Sequence, residues 1–231
     1  MANTINNPTM GFQSFGRAEG ASPTAGMTPV WIASTDAGLY FRGDPVMTST
    51  SPGTNLSGAY IASVNGNAIT PSSGFLCRGI FQGCYQYQPI AGRVVWSNTY
   101  LGSVSGSTGD VKAYVIDDPD QQYIVQASTK GTITSSMIGQ NVGITYNTTT
   151  GNQVYGYSNV TIESTSVSGV TTSLPFRLVD FYSAYAPPGG LQGPAIGANA
   201  FINGTDNTTP ANIMVVRLNN CDRLSLTGKS S

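Results

Sequence analysis

Apolar side chains in this chain recur in short runs that alternate with polar positions, and turn-forming residues separate the runs. The clearest example is residues 110–127 (DVKAYVIDDPDQQYIVQA), where alternation lies on both sides of Asp118-Pro119-Asp120-Gln121. A period of two is typical of β-strands. Asp at the first position and Pro at the second favour a type I turn. The stretch therefore predicts a β-hairpin, which other strands must cover because an isolated hairpin cannot bury its apolar side chains.

Runs of the same kind recur along the rest of the chain, at the spacing of about 8–12 residues that is typical of all-β domains. They predict further strands at residues 30–33, 38–42, 44–47, 59–64, 75–87, 93–96, 131–135, 141–146, 155–157, 160–163, 174–182 and 212–218. No segment keeps helical periodicity over three turns. The predicted fold class is all-β, an antiparallel β-barrel or a sandwich.

The first 28 residues differ from the rest in composition. They are rich in Asn, Gly, Ser, Thr and Pro, and such a segment cannot form a core of its own. We interpret residues 1–28 as an extended N-terminal arm and residues 29–231 as a β-rich domain, with a sub-boundary near 102–109 if the domain has two lobes. Phe12 and Phe15 are candidate partner-binding residues, since two aromatic rings on an arm can dock into a neighbour. The alternative is a disordered tail.

The charge content is low and balanced. Only 9% of the residues are charged, and 10 basic and 11 acidic side chains leave a net charge of −1. Soluble domains usually have about 25% charged residues. A weakly charged surface favours association, and without a basic excess we expect no nucleic-acid partner. No apolar segment is long enough to span a bilayer, and the N-terminus lacks the pattern of a secretory signal, so we expect no membrane partner.

The chain lacks the residues of the common catalytic sites. It has no histidine, which excludes Ser-His-Asp and Cys-His constellations, and it has no phosphate-binding or dinucleotide-binding motif. The three cysteines, Cys77, Cys84 and Cys221, lack the spacing of a metal site and are interpreted as reduced thiols. A Cys77–Cys84 disulfide is left open. We expect no enzymatic activity, no cofactor and no metal.

Two polar motifs have a functional and a structural interpretation. Asp117, Asp118 and Asp120 form the only cluster of carboxylates, which in other contexts serve glycoside hydrolysis or bind Ca²⁺. Successive residues at a strand end point to opposite faces, however, and the turn explains Asp118 and Asp120. Arg42-Gly43-Asp44 matches an integrin-binding tripeptide, but a turn in which Gly supplies the special dihedral is the better explanation.

Aromatic residues offer a further candidate surface. Tyrosine in β-rich proteins serves cross-strand packing and interfaces more often than ligand binding. A sugar-binding face is the minor alternative, and its candidate residues are Tyr85, Tyr87, Trp96, Tyr100, Tyr155, Tyr157, Phe181, Tyr182 and Tyr185.

Several segments, taken in order, resemble a family of structural proteins encoded by tailed bacteriophages. They are residues 39–46 (LYFRGDPV), 79–85 (GIFQGCY), 93–100 (RVVWSNTY) and 111–119 (VKAYVIDDP), and residues 178–180 and 215–220 fit the same pattern. The resemblance covers roughly residues 35–220, with a looser fit at 147–172 and 186–210. It is a pattern of strands and turns rather than a catalytic signature.

The resemblance implies a non-enzymatic component of the virion, and in particular a capsid cement (decoration) protein on the outer surface of the mature head. Such a protein would stabilise contacts between capsomers of the major capsid protein. Further implied partners are other copies of this chain, in a dimer or trimer, and the implied site of synthesis is the bacterial host cytoplasm. The alternative is a head-fibre, tail or spike structural protein that binds host glycans.

Overall fold

A computed structural model describes residues 11–18, 26–49, 59–64, 74–88, 92–102, 109–146, 151, 153–182 and 210–224 of the chain. Within these residues the structure is almost entirely antiparallel β-sheet, which confirms the predicted fold class. The helical content of the same residues is limited to short 3-10 turns, among them Ser135–Met137 and Ser164–Ser166. None of the sheets in the described part closes on itself, and of the two architectures left open the topology is consistent with a sandwich.

The strands form two large sheets and two small ones. In chain order the strands are β1 (Gln13–Arg17), β2 (Thr28–Ile32), β3 (Leu39–Phe41), β4 (Pro45–Thr48), β5 (Ile61–Ser63), β6 (Cys77–Gln88), β7 (Arg93–Ser97), β8 (Thr99–Leu101), β9 (Val111–Ile116), β10 (Gln121–Gln126), β11 (Asn141–Val142), β12 (Ile144–Tyr146), β13 (Val160–Ile162), β14 (Phe176–Phe181) and β15 (Ile213–Leu218). The five-stranded sheet has the order β1-β10-β15-β14-β11. The six-stranded sheet has the order β2-β9-β6-β4-β5, with β7 paired to β6. Strands β12-β13 and β3-β8 form separate pairs.

The predicted hairpin at residues 110–127 is wrong in its pairing. Both strands and the turn are present, and the Gln121 N–H donates to the Asp118 carbonyl at 3.1 Å as a β-turn requires. The two strands do not pair with each other, however. β9 pairs with β2 and β6, whereas β10 pairs with β1 and β15, so the turn carries the chain from one large sheet to the other. The long-range partners of each strand decide the pairing, and the local turn chemistry does not.

Two hydrophobic cores hold the sheets together. The larger core joins the five-stranded sheet to β12, β13 and the adjoining ends of β6 and β9, and the second joins the six-stranded sheet to β3 and β8. β6 and β9 contribute to both cores because their successive side chains point to opposite faces. Ile80 and Ile116 face the larger core, whereas Phe81 and Val115 face the second.

Part of the predicted N-terminal arm belongs to the folded domain. Residues 13–17 form β1, which lies at the edge of the five-stranded sheet and pairs with β10. The register shifts between Ser14 and Gly16, and such a bulge is one way in which an edge strand avoids further pairing. Residues 1–10 and 19–25 of the predicted arm, and residues 103–108 at the predicted sub-boundary, lie outside the described residues.

Two smaller predictions need correction. Residues 131–135, predicted as a strand, lead into the 3-10 turn at Ser135–Met137. Residues 155–157, also predicted as a strand, belong to a turn that ends in an isolated bridge between Tyr157 and Arg42. In the described part of the chain, no helix has the length and apolar character that crossing a membrane requires.

Candidate interaction surface

The feature that stands out on the six-stranded sheet is a group of exposed rings on one outer face. Tyr85 and Tyr87 of β6 lie opposite Trp96 and Val94 of β7, and these four side chains are 41–61% exposed. Tyr114 of the neighbouring strand β9 completes the group. We call these five residues the aromatic surface. Trp31 of β2 and Lys112 of β9 lie at paired positions on the same face.

The register of the sheet explains why these side chains share one face. Tyr114 lies opposite Gly83, and Lys112 lies opposite Tyr85, so alternate residues of β9 and β6 point the same way. Closer to the five-stranded sheet, Ile116 lies opposite Ile80 on this same face, and both are buried in the larger core. One apolar face therefore begins inside the molecule and emerges on its surface, where no described element covers it.

The rings of the aromatic surface hold each other in place. Tyr85 meets Trp96 edge to face at a centroid distance of 5.2 Å, and Tyr114 lies 5.9 Å from Tyr85 and 5.6 Å from Trp96. The Trp96 indole N–H donates to Asn98 Oδ1 at 3.2 Å. Aromatic pairs in this geometry contribute about 0.5–1.5 kcal/mol beyond the area they bury. The surface is therefore ordered before any partner arrives, which lowers the entropy lost on binding.

Gly83 provides the space that the Trp96 ring occupies. A Cβ atom at residue 83 would lie 2.4 Å from Trp96 Cζ2, and the backbone there has φ +146°. The bulge that accommodates this glycine lies between Phe81 and Gly83 on β6. Bulges often redirect side chains beside functional sites. Here the glycine lets the indole ring lie against the backbone of β6, where a larger residue would collide with it.

The two candidate partner-binding residues of the arm lie in different environments. Phe12 is 1% exposed, stacks on Phe176 at 4.3 Å and belongs to the larger core, so this ring is not accessible to a partner in this conformation. Phe12 is buried because it directly precedes β1, and the pairing of β1 with β10 places it over the larger core. Phe15 is 44% exposed and contacts Tyr182 edge to face at 5.6 Å, and it stays a candidate.

The predicted sugar-binding residues do not form one face. Tyr85, Tyr87 and Trp96 share the aromatic surface, but Tyr100 is buried in the second core and Tyr182 lies beside Phe15. Tyr185 lies outside the described residues. Sequence reasoning missed Tyr114 and Trp31, although both alternate with buried residues of their strands, and this alternation was the signal that could have found them.

The three clustered carboxylates lie in two separate networks. Asp117 is buried and receives the Thr28 hydroxyl at 2.8 Å and the guanidinium groups of Arg78 at 3.4 Å and Arg223 at 3.1 Å. Asp118 and Asp120 instead face Arg17, at 3.2 and 4.0 Å. The Asp120 N–H donates to the Asp118 carboxylate at 3.0 Å, which confirms the turn interpretation. Among the described residues no group of three potential ligands has the arrangement of a metal site.

The Arg42-Gly43-Asp44 tripeptide forms a turn, as predicted. Gly43 has φ +93°, and the Asp44 N–H donates to the Phe41 carbonyl at 2.9 Å. The Asp44 carboxylate is buried and accepts the Phe41 N–H at 2.8 Å. Burial raises the pKa of Asp44 to about 7, and the hydrogen bonds from Ser158 and Phe41 only partly offset this. A buried carboxylate is not available to a receptor.

This burial predicts a pH dependence of stability. Because the folded-state pKa of Asp44 lies above its unfolded value of 3.8, the folded state binds the proton more tightly between these values. Protonation of Asp44 therefore contributes to the free energy of unfolding in full below about pH 4. This contribution is lost as the pH rises to about 7, and the free energy of unfolding falls by up to about 1.4 kcal/mol per pH unit. We expect the stability of Asp44→Asn relative to the natural protein to increase over this range in denaturant titrations. Asp180→Asn, at an exposed carboxylate, is the control, and an Asp44→Asn difference that is constant from pH 4 to 8 would contradict the prediction.

Comparisons of the chain with protein-family models, with curated proteins and with solved structures found no match.

Proposed function

We propose that this chain is a non-enzymatic capsid cement protein of a tailed bacteriophage, which binds the outer surface of the mature head and stabilises contacts between capsomers of the major capsid protein. The aromatic surface is the observation that supports this proposal best. It is an ordered, exposed, apolar face that continues directly from the core. Contiguous exposed apolar faces are uncommon on soluble monomers, and where they occur they usually mark an interaction site.

The composition of the aromatic surface favours a protein partner. Protein interfaces are enriched in Tyr, Trp and Phe and depleted in charged residues at their centre, and Tyr and Trp dominate the residues that carry most of the binding energy. Lys112 is the one charged residue that we place on this face, with its Nζ 5.8 Å from the Tyr114 ring centroid. The near-neutral chain as a whole, with a net charge of −1, also fits dense packing against many identical neighbours.

A strand edge beside the aromatic surface adds a second means of attachment. Among the described residues, β7 pairs only with β6, so its other edge presents backbone groups next to Trp96. A partner segment can add a strand to such an edge, with backbone hydrogen bonds for affinity and side-chain pockets for specificity. Repetition of one contact over a closed shell then multiplies its effect through avidity.

The double variant Tyr85→Gln/Trp96→Gln tests this proposal. We expect its affinity for virions that were assembled without the chain to fall by about 100-fold or more, because truncation of an aromatic hot-spot residue costs about 2 kcal/mol or more and the losses of neighbouring residues do not simply add. Sedimentation of virions with bound protein measures the affinity. The natural protein should also raise the temperature at which these virions release their DNA, and the double variant should not.

Val170→Gln is the matched control, since Val170 is 89% exposed but lies outside the aromatic surface. It should bind virions as the natural protein does. If the double variant binds virions normally, the aromatic surface is not the contact and the proposal fails in this form. The natural protein could instead bind no virions but bind glycans of a bacterial surface through Tyr85 and Trp96. That result would replace the cement proposal with the alternative of a head-fibre, tail or spike protein.

A further inference from the structure

Two of the three cysteines lie opposite each other in the fold. Cys77 is the first residue of β6, and Cys221 follows the end of β15. The Cys77 N–H donates to the Asn220 carbonyl at 2.9 Å, and the Asp222 N–H donates to the Cys77 carbonyl at 3.1 Å. These two bonds make Cys77 and Cys221 the central pair of a parallel β-bridge.

The bridge places the two thiols within reach of each other. Paired residues on neighbouring strands are about 4.8 Å apart, and disulfides form where Cα atoms are about 4.4–6.8 Å apart. Side chains of bridge partners point to the same side of the sheet, and both thiols are buried in the larger core. The burial raises the pKa of each thiol, with the charge of the other as a further cause at Cys77.

Ion pairs fix the register of this bridge. Arg78, next to Cys77, contacts the carboxylate of Asp222 at 3.6 Å, and Arg223 contacts Asp117 at 3.1 Å. The residues on both sides of the cysteine pair are therefore held by charges as well as by backbone hydrogen bonds. The third thiol, Cys84, has no such partner, since its neighbours across the strands are Ser97 and Ala113.

We propose that Cys77 and Cys221 form a reversible disulfide that locks the C-terminal segment onto β6, with a low-molecular-weight disulfide such as oxidised glutathione as the oxidant. One thiolate attacks a sulfur of the oxidant, releases one reduced thiol and leaves a mixed disulfide on the protein. The second thiolate displaces the other half of the oxidant. Two thiol protons and two electrons leave the protein, and the oxidant is reduced to two thiols.

This pairing differs from the Cys77–Cys84 disulfide that the sequence left open. Cys77 and Cys84 lie seven positions apart on the same extended strand, which separates them by about 20 Å. They also point into different cores. The proposed bond instead joins residues far apart in sequence, and a disulfide that closes such a long loop constrains the unfolded chain strongly.

Reaction requires local opening of the C-terminal turn. Cys221 is 2% exposed, and residues 221–224 form a turn closed by the hydrogen bond from the Leu224 N–H to the Cys221 carbonyl at 3.0 Å. Because Leu224 is half exposed, we expect this turn to open with little loss of other core contacts. We expect oxidation to be slow in the folded protein and to accelerate in mild denaturant.

Incubation of the purified protein with oxidised glutathione tests the proposal. Mass spectrometry without reduction should show the loss of two hydrogens from the chain and a cross-linked peptide pair that contains Cys77 and Cys221. The melting temperature should rise by about 10 °C and return to its initial value on reduction. Cys84→Ala should behave like the natural protein, whereas Cys221→Ala should give no intramolecular bond.

If a variant does not fold, the cross-links formed in the natural protein still test the proposal. A cross-link that includes Cys84, or glutathione adducts on Cys77 and Cys221 without an intramolecular bond, would overturn it. Failure of the aromatic-surface variants to affect virion binding would leave this result unchanged, because the cysteine pair lies in the core.

Discussion

Replacement of Phe12 by alanine is expected to lower the free energy of unfolding by about 3–5 kcal/mol, the range measured for Phe→Ala in well-packed cores. The Phe12 ring is 1% exposed, stacks on Phe176 at 4.3 Å and meets Tyr123 edge to face at 6.2 Å. Removal of the ring leaves a cavity beside Phe176 and Tyr123 in the larger core. The Phe12 N–H also donates to the Gly43 carbonyl at 3.0 Å, which fixes the backbone and limits collapse of the site. Denaturant titration measures the loss.

Phe15→Ala is the matched control, since it removes the same ring only three positions away. Phe15 is 44% exposed and touches Tyr182 at the surface. We expect a loss of less than about 1 kcal/mol, because most of the ring already faces water. Equal small losses for both variants would mean that Phe12 is not a core residue in solution, and both rings would again be candidates for docking.

This pair of variants also changes how the arm should be tested. A deletion of residues 1–28 removes Phe12 and all of β1. A loss of virion binding by this deletion therefore does not distinguish unfolding of the domain from loss of a contact made by the arm. Phe15→Ala leaves the fold intact. Virion binding by Phe15→Ala therefore measures what the exposed part of the arm contributes.

The strands of this fold could be predicted from the sequence because they alternate strongly. β9 is an example, since Val111, Ala113 and Val115 point into one core while Lys112 and Tyr114 point outward. β1 was missed because its residues have weak strand propensity. Its structure depends on hydrogen bonds from β10, and such a long-range partner leaves no signal in a local window.

The pairing of strands could not be predicted for a related reason. A type I turn at Asp118-Pro119-Asp120-Gln121 fits both a hairpin and a connection between two sheets, and only the registers of β9 with β6 and of β10 with β15 distinguish them. The aromatic surface depends on register in the same way. Tyr85 and Trp96 were candidates among nine aromatic residues. Alternation within β9 marks Tyr114 as outward-facing, but only the register of β9 with β6 places it beside them.

Asp117→Ala is expected to cost about 3 kcal/mol, because it removes a buried carboxylate that the Thr28 hydroxyl and two guanidinium groups contact, and leaves Asp222 as the remaining partner of Arg78. The side chain of Asp117 is 4% exposed and that of Arg78 is 18% exposed. Asp117 also receives the Thr28 hydroxyl at 2.8 Å and contacts Arg223, so one carboxylate connects the starts of β2 and β6 to the C-terminal segment. Denaturant titration measures the loss.

Asp120→Ala is the control for this prediction, since its carboxylate is 48% exposed and lies 4.0 Å from Arg17. An ion pair of this kind contributes less than about 1 kcal/mol. Asp117→Ala should in addition speed the reaction of Cys221 with a thiol reagent, because Arg223 loses the contact that holds the C-terminal turn, while Cys84 should react as before. If Asp117→Ala costs no more than Asp120→Ala and Cys221 stays as slow to react, the charge network does not hold the C-terminal segment.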